Sequence, residues 1–165
     1  MKTNLSFAII LLVCLPFSNY AQDNAVDTTN LTPLAKMLLN HTYQFTATYV
    51  QPMSGRQKNV TGDNYTFKVD KDLVEADLPY FGKSTSAPIG TTDVGMKFTS
   101  KDFAYNSQTL TKSREQIIIK PKDVSDIQEI YLIVYPGGTA DLRITSNSRQ
   151  TISYQGNITA LKPVK

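Results

Sequence analysis

The chain has 165 residues, with 17 Lys+Arg against 14 Asp+Glu, one His, one Cys and no Trp. At 41% hydrophobic and 19% charged residues it is too apolar for an intrinsically disordered segment, and a net charge of +3 is far from a nucleic-acid-binding stripe. A single Cys excludes an internal disulfide framework and a thiolate zinc cluster.

Met1-Lys2 opens the chain with positive charge, and an apolar run follows from Leu5 to Phe17. Ser18-Asn19-Tyr20-Ala21 then ends it with polar and small residues. This pattern is that of a secretory signal peptide over residues 1–21, cleaved after Ala21. The run is shorter than the ~20 apolar residues that span a bilayer. Cys14, after Leu11-Leu12-Val13, loosely resembles a lipoprotein lipobox, but Val13 is not small and the apolar run continues past the Cys. Plain cleavage is therefore the expectation, with lipoprotein anchoring through Cys14 as the alternative. The mature chain is expected in the periplasm or at the outer surface, without cysteine and without a transmembrane segment.

Residues 22–30 are polar and read as a flexible linker, in which Asp27-Thr28-Thr29 matches a short O-glycosylation motif no better than chance allows. Residues 31–165 form the single expected domain. Thr32-Pro33 supplies an N-cap and a first-turn proline, and Leu34, Met37, Leu38 and Leu39 form an apolar stripe, predicting a short amphipathic helix.

From Thr42 the period changes to two. Tyr43, Phe45, Ala47 and Tyr49 alternate with polar residues, as do Tyr65, Phe67 and Val69, and then Val94, Met96 and Phe98. Asp70-Lys71-Asp72, Ser100-Lys101-Asp102, Pro136-Gly137-Gly138 and Asn147-Ser148 read as turns. Phe103 and Tyr105, Ile117 and Ile119, Leu142 and Ile144, and Ile152, Tyr154 and Ile158 continue the inward set. About nine short strands with no second helix predict a mainly β fold, and connections this short exclude βαβ crossovers. The expected architecture is an antiparallel up-and-down, lipocalin-like barrel, closed or half-open, with one short N-terminal helix; a β-sandwich is the alternative. Ile130–Tyr135 is apolar on both parities. The helix, laid outside this strand or plugging a barrel end, would cover it; a dimer contact through Tyr131, Ile133 and Tyr135 is the other solution, with a monomer the expectation.

Chemistry is sparse. His41 is the only histidine, so N/S metal sites are not expected, and Asp70, Asp72, Glu75 and Asp77 lack the spacing of a calcium loop. No nucleophile elbow or phosphate-cradling glycine loop is present. No catalytic residue, metal or cofactor is predicted, and the protein is read as not an enzyme. The aromatic inward set is either a solid core or the wall of a pocket.

The most unusual stretch is Leu78-Pro79-Tyr80-Phe81-Gly82-Lys83-Ser84, followed by a long loop to Asp93. Its paired rings can plug a barrel end or form a binding lip. Tyr80, Phe81, Lys83 and Arg149 are the candidate ligand-binding residues. Arg149, beside a turn, can pair with an acidic ligand group or bond loop carbonyls.

Several motifs together carry a resemblance: Phe45-Thr46-Ala47-Thr48-Tyr49-Val50-Gln51-Pro52-Met53, Leu78-Pro79-Tyr80-Phe81-Gly82, Ser86-Ala87-Pro88, Phe98-Thr99-Ser100-Lys101-Asp102-Phe103, Ile119-Lys120-Pro121-Lys122-Asp123 and Asn147 through Gly156. In this order, from about Leu34 to Ile158, the chain resembles the domain-of-unknown-function 4251 family of exported bacterial proteins. The resemblance implies an envelope-associated, single-domain, lipocalin-like β structure and carries no catalytic residues. The functional expectation is an exported, non-enzymatic binding or interaction module of the bacterial cell envelope. Its partner would be a small molecule at an aromatic-lined mouth, or an envelope protein. A hydrolase using Asp/Glu carboxylates and an assembly protein are the alternatives; nucleic acid is not expected as a partner.

Overall fold

The computed structural model describes residues 31–84 and 95–161. The expected signal peptide over residues 1–21, the expected linker over 22–30, the Ser86-Ala87-Pro88 motif and the expected loop after Ser84 lie outside the described residues.

Helix α1 spans Pro33–Leu39. Thr32 caps it, its Oγ1 accepting from the Ala35 backbone N at 3.2 Å, which satisfies one of the free N–H groups of the first turn. His41, at φ 53°, then turns the chain into the sheet. Ten strands follow: β1 (Thr42–Pro52), β2 (Lys58–Asn59), β3 (Thr66–Asp70), β4 (Leu73–Leu78), β5 (Met96–Ser100), β6 (Phe103–Leu110), β7 (Arg114–Pro121), β8 (Ile127–Val134), β9 (Thr139–Ser146) and β10 (Ile152–Ala160).

All pair antiparallel in the order β5-β4-β3-β1-β10-β9-β8-β7-β6, with β2 added to β1. The first and last long strands join through a ladder from Tyr43–Ala160 to Pro52–Ile152. The sheet curls into a barrel that is nearly closed. Its unsealed seam falls between β5 and β6, the two ends of the strand order, which are neighbours in sequence. At this corner the chain's polar groups go elsewhere than to a hairpin ladder. Asp123 accepts from Ser100 Oγ at 2.5 Å, Lys101 N at 2.7 Å and Asp102 N at 3.2 Å. These bonds hold the Asp123 carboxyl below the usual carboxylate range, the Ser100 hydroxyl contributing most.

The interior is filled by side chains. Tyr43, Phe45, Phe67, Leu132, Ile144 and Tyr154 are among those with no more than traces of exposure. Gly156 in β10 makes room for this packing. A Cβ there would come within 2.8 Å of the Phe45 ring and would also collide with the Thr46 carbonyl oxygen. Burial pushes the Tyr154 hydroxyl pKa far up, and this group donates to Pro79 O at 2.9 Å, as a buried phenol must.

Tyr49 departs from the inward set. The pairing of β1 with β10 shifts register between Ala47 and Tyr49, and this bulge reverses the parity. Val50 is buried in its place and Tyr49 is 40% exposed. Tyr65, Phe98, Phe103 and Tyr105 are half-buried against the core rather than within it. In α1, Leu38 enters the core with Leu34 and Met37 beside it, while Leu39 faces solvent.

The helix covers an end of the barrel, not the outer face of β8. That face is tended by its neighbours instead. Tyr131 donates to Gln116 Oε1 at 2.7 Å beneath the Arg143 guanidinium, 4.8 Å above the ring, and Tyr135 donates to Asp141 Oδ2 at 2.8 Å.

Candidate functional site

Two ends of the barrel differ in chemistry. At the end away from α1, the strap Pro79–Ser84 folds over the core. Tyr80 is buried, and its hydroxyl is shared between Lys83 O at 2.8 Å and Gln150 O at 3.1 Å. The ring curls back over Gly82, where a Cβ would lie 2.6 Å from Tyr80 Cζ. A side chain there would push the Tyr80 ring off its two carbonyl acceptors. Gln150 returns two bonds to the strap, its N donating to Lys83 O at 3.1 Å and its Oε1 accepting from Lys83 N at 3.3 Å.

Arg149 is engaged with its own chain. Its Nη1 donates to Gly95 O at 2.8 Å, its Nε lies 3.7 Å from Asp126 Oδ2, and its guanidinium carbon is 5.5 Å from the Tyr80 ring centre. An isolated bridge also pairs Arg149 with Ser84. The arginine thereby contacts both residues where the described chain breaks off, Ser84 and Gly95. Burial pushes the Asp126 carboxyl up, but the Ser148 and Ser146 hydroxyls and Arg149 together outweigh it and hold the group below its ordinary value. The structure therefore brings all four candidate residues, Tyr80, Phe81, Lys83 and Arg149, to one rim. Tyr80 and Arg149 have their polar atoms committed there, while Phe81 is 39% exposed, with Lys58 Nζ 3.7 Å above its ring.

The α1 end carries the feature that the alternation pattern did not reveal. Between α1 and the β6–β7 hairpin lies a cleft of about 310 Å³. Leu31, Ala35, Leu38, Leu39 and Ile117 give it apolar walls; Ser107, Gln108, Thr109 and Glu115 give it a polar side. Thr109 Oγ1 donates to Glu115 Oε1 at 2.7 Å. A smaller hollow of about 200 Å³ lies on the other flank of α1, towards Val134, Tyr135 and Pro136. Near the cleft the seam is pinned: the Tyr43 and Tyr105 hydroxyls hydrogen-bond at 3.4 Å, and the His41 ring stacks 3.9 Å from that of Tyr105. Burial, then the neighbouring Tyr105, raises the Tyr43 pKa. Beyond Tyr105, β6 runs with no strand on its far side among the described residues. Elsewhere, a shallow concavity of about 500 Å³ on the outer face of β3–β5 is crossed by the Lys68–Glu75 and Lys97–Asp77 pairs, each at 3.6 Å.

A short capping helix, a filled aromatic core and a single antiparallel sheet nearly closed on itself define a mainly β, barrel-like protein. The model of the family described as "Domain of unknown function (DUF4251)" matches residues 25–158, and the chain belongs to that family. The fold is similar to the crystal structure of a DUF4251 family protein from Bacteroides eggerthii DSM 20697, at 18% identity and a TM-score of 0.55. That similarity covers 76% of this chain and 83% of the other. No curated protein matches the sequence.

Proposed function

We propose that the protein is an exported, non-catalytic binding module of the cell envelope, and that it takes a small amphipathic molecule in the cleft between α1 and the β6–β7 hairpin. The observation that carries this reading is the cleft itself. At about 310 Å³ it reaches the lower end of the range of ~300–1,000 Å³ typical of ligand sites, with apolar walls and one polar side. The core offers no comparable room, because its aromatic rings fill the barrel. Glu115 is the charged side chain lining the cleft, which favours a neutral or cationic ligand. The apolar run Leu5–Phe17 supports export.

The neutral naphthalene dye prodan tests the site. It is expected to bind saturably with enhanced emission, and Ala35→Phe, which fills the cleft from the helix side, is expected to abolish this at unchanged melting temperature. Dye binding indifferent to that substitution would remove the cleft from consideration.

One observation favours a second occupant. The eight residues of β6 (Phe-Ala-Tyr-Asn-Ser-Gln-Thr-Leu) contain no charge, proline or glycine, the usual protections of an open edge. An extended peptide adding a strand there would place a side chain in the same cleft. Slowed amide exchange at Asn106–Thr109 on peptide binding, absent with the dye, separates the two.

A further inference from the structure

The opposite rim carries a different signature. Met53 is 67% exposed and Phe81 39%, and both stand among cations: Arg56 and Lys58 on the segment after β1, and Lys83 on the strap. One rim holds them all. Pro52 pairs with Ile152, Gln150 bonds Lys83, and Lys58 Nζ sits over the Phe81 ring. Among the described residues Arg56, Lys58 and Lys83 form no ion pair with a carboxylate, and the acids of the β7–β8 connection at this end are engaged elsewhere, Asp126 by Arg149 and Asp123 by Ser100 and the Lys101 backbone. Asp63 is carried away from it, since Val60 bonds back to Thr48 and Ala47 to Tyr65, further down β1.

We propose that this rim docks onto an anionic phospholipid surface, with Phe81 and Met53 entering the headgroup layer and Arg56, Lys58 and Lys83 facing lipid phosphates. Exposed apolar side chains ringed by basic ones are the footprint of interfacial membrane contact, in which apolar burial and attraction to anionic lipid act together. The ammonium of Lys58 above Phe81 fits the boundary, where the ring meets acyl chains while the charge stays in the headgroups. An acidic polysaccharide would satisfy the cations and could stack on Phe81, but gives Met53 nothing: its thioether is a flexible apolar group with no hydrogen to donate. The cleft beside α1 lies at the other end and remains accessible in this orientation.

The absence of tryptophan provides a local reporter. In the full chain, Phe81→Trp is expected to show blue-shifted emission on adding phosphatidylglycerol/phosphatidylcholine vesicles, with quenching by brominated acyl chains. Leu39→Trp, at the α1 end, is expected to show neither. Arg56→Gln with Lys83→Gln should weaken partitioning about 25-fold, since a basic residue near an anionic leaflet contributes roughly a factor of five. About 1 M salt, which shortens screening to about 3 Å, should reverse the shift. Met53→Trp serves as a second reporter if the strap does not accept the larger ring. The proposal is overturned if neither rim reporter responds, or if pure phosphatidylcholine works equally well and without salt dependence. An equal response of Leu39→Trp also overturns it, because the apolar run Leu5–Phe17 would then be the contact. A response to alginate but not to vesicles assigns the rim to acidic glycans instead.

Discussion

Replacing Leu38 by alanine measures how far α1 belongs to the core. The substitution removes three carbons, and at ~0.8 kcal/mol for each buried one the transfer loss is about 2.4 kcal/mol. No cavity cost should be added. The vacated space opens onto the hollows of about 310 and 200 Å³ on either flank of the helix, both of which Leu38 lines. Leu132 provides the contrast, because it is enclosed on all sides with no exposure. Its replacement by alanine loses the same transfer energy and leaves a closed void of roughly 70 Å³, which at ~24 cal/mol per Å³ adds about 1.7 kcal/mol, for a total near 4. Urea unfolding followed by far-ultraviolet circular dichroism reads both. With a slope of ~2 kcal/mol/M, the midpoints should fall by about 1 M for Leu38→Ala and about 2 M for Leu132→Ala. Equal losses would mean that α1 is sealed into the core and the cleft is not open. A loss below ~0.5 kcal/mol for Leu38→Ala would mean that the helix contributes nothing to holding the barrel end.

Gly156→Ala should prevent stable folding or cost more than ~3 kcal/mol, because the added carbon meets the Thr46 carbonyl and the Phe45 ring; soluble yield and thermal melting report it. Tyr80→Phe removes the donor that serves Lys83 O and Gln150 O and should cost ~1–2 kcal/mol in chemical denaturation while leaving the dye site at the α1 end unchanged. The lowered Asp126 pKa makes stability acid-dependent. The unfolded carboxyl binds its proton more tightly than the folded one, so this contribution is complete above the ordinary value of ~4 and is lost as pH falls through the lowered folded value. Asp126→Asn should therefore flatten the decline of melting temperature below pH ~4 and lower stability at pH 7. An unchanged acid profile would show that the Ser146–Ser148–Arg149 contacts do not form in solution.

Alternation of apolar and polar residues located the long strands because one face of each is buried, and Thr32-Pro33 located the helix through its cap. Local patterning cannot convey the bulge after Ala47, since an inserted residue shows only against the partner strand; alternation alone consequently puts Tyr49 on the wrong face. The two-residue β2 is too short for any period. Ser100-Lys101-Asp102 has the composition of a hairpin turn, but the acceptor that binds it, Asp123, comes from beyond β7, so the seam is a tertiary event. Tyr80, Phe81 and Lys83 stand out because two adjacent rings break the alternation. Arg149 signalled only its proximity to a turn; its partners Asp126 and Gly95 are distant in sequence. The cleft depends on where α1 sits relative to β6, a relation that no short window of residues encodes.

The seam lies at a peculiar place in the chain. The first and last long strands are laced together, and the gap falls midway between them in sequence, at Lys101 and Asp102. A nick at that corner severs no rung between strands. The polypeptide is thus pre-divided into two meanders, β1 to β5 and β6 to β10, whose strands pair with each other only along the β1–β10 ladder, while the Tyr43–Tyr105 and Asp123 contacts and the shared core hold them together elsewhere. Cutting the chain there leaves every strand pairing of the wall in place.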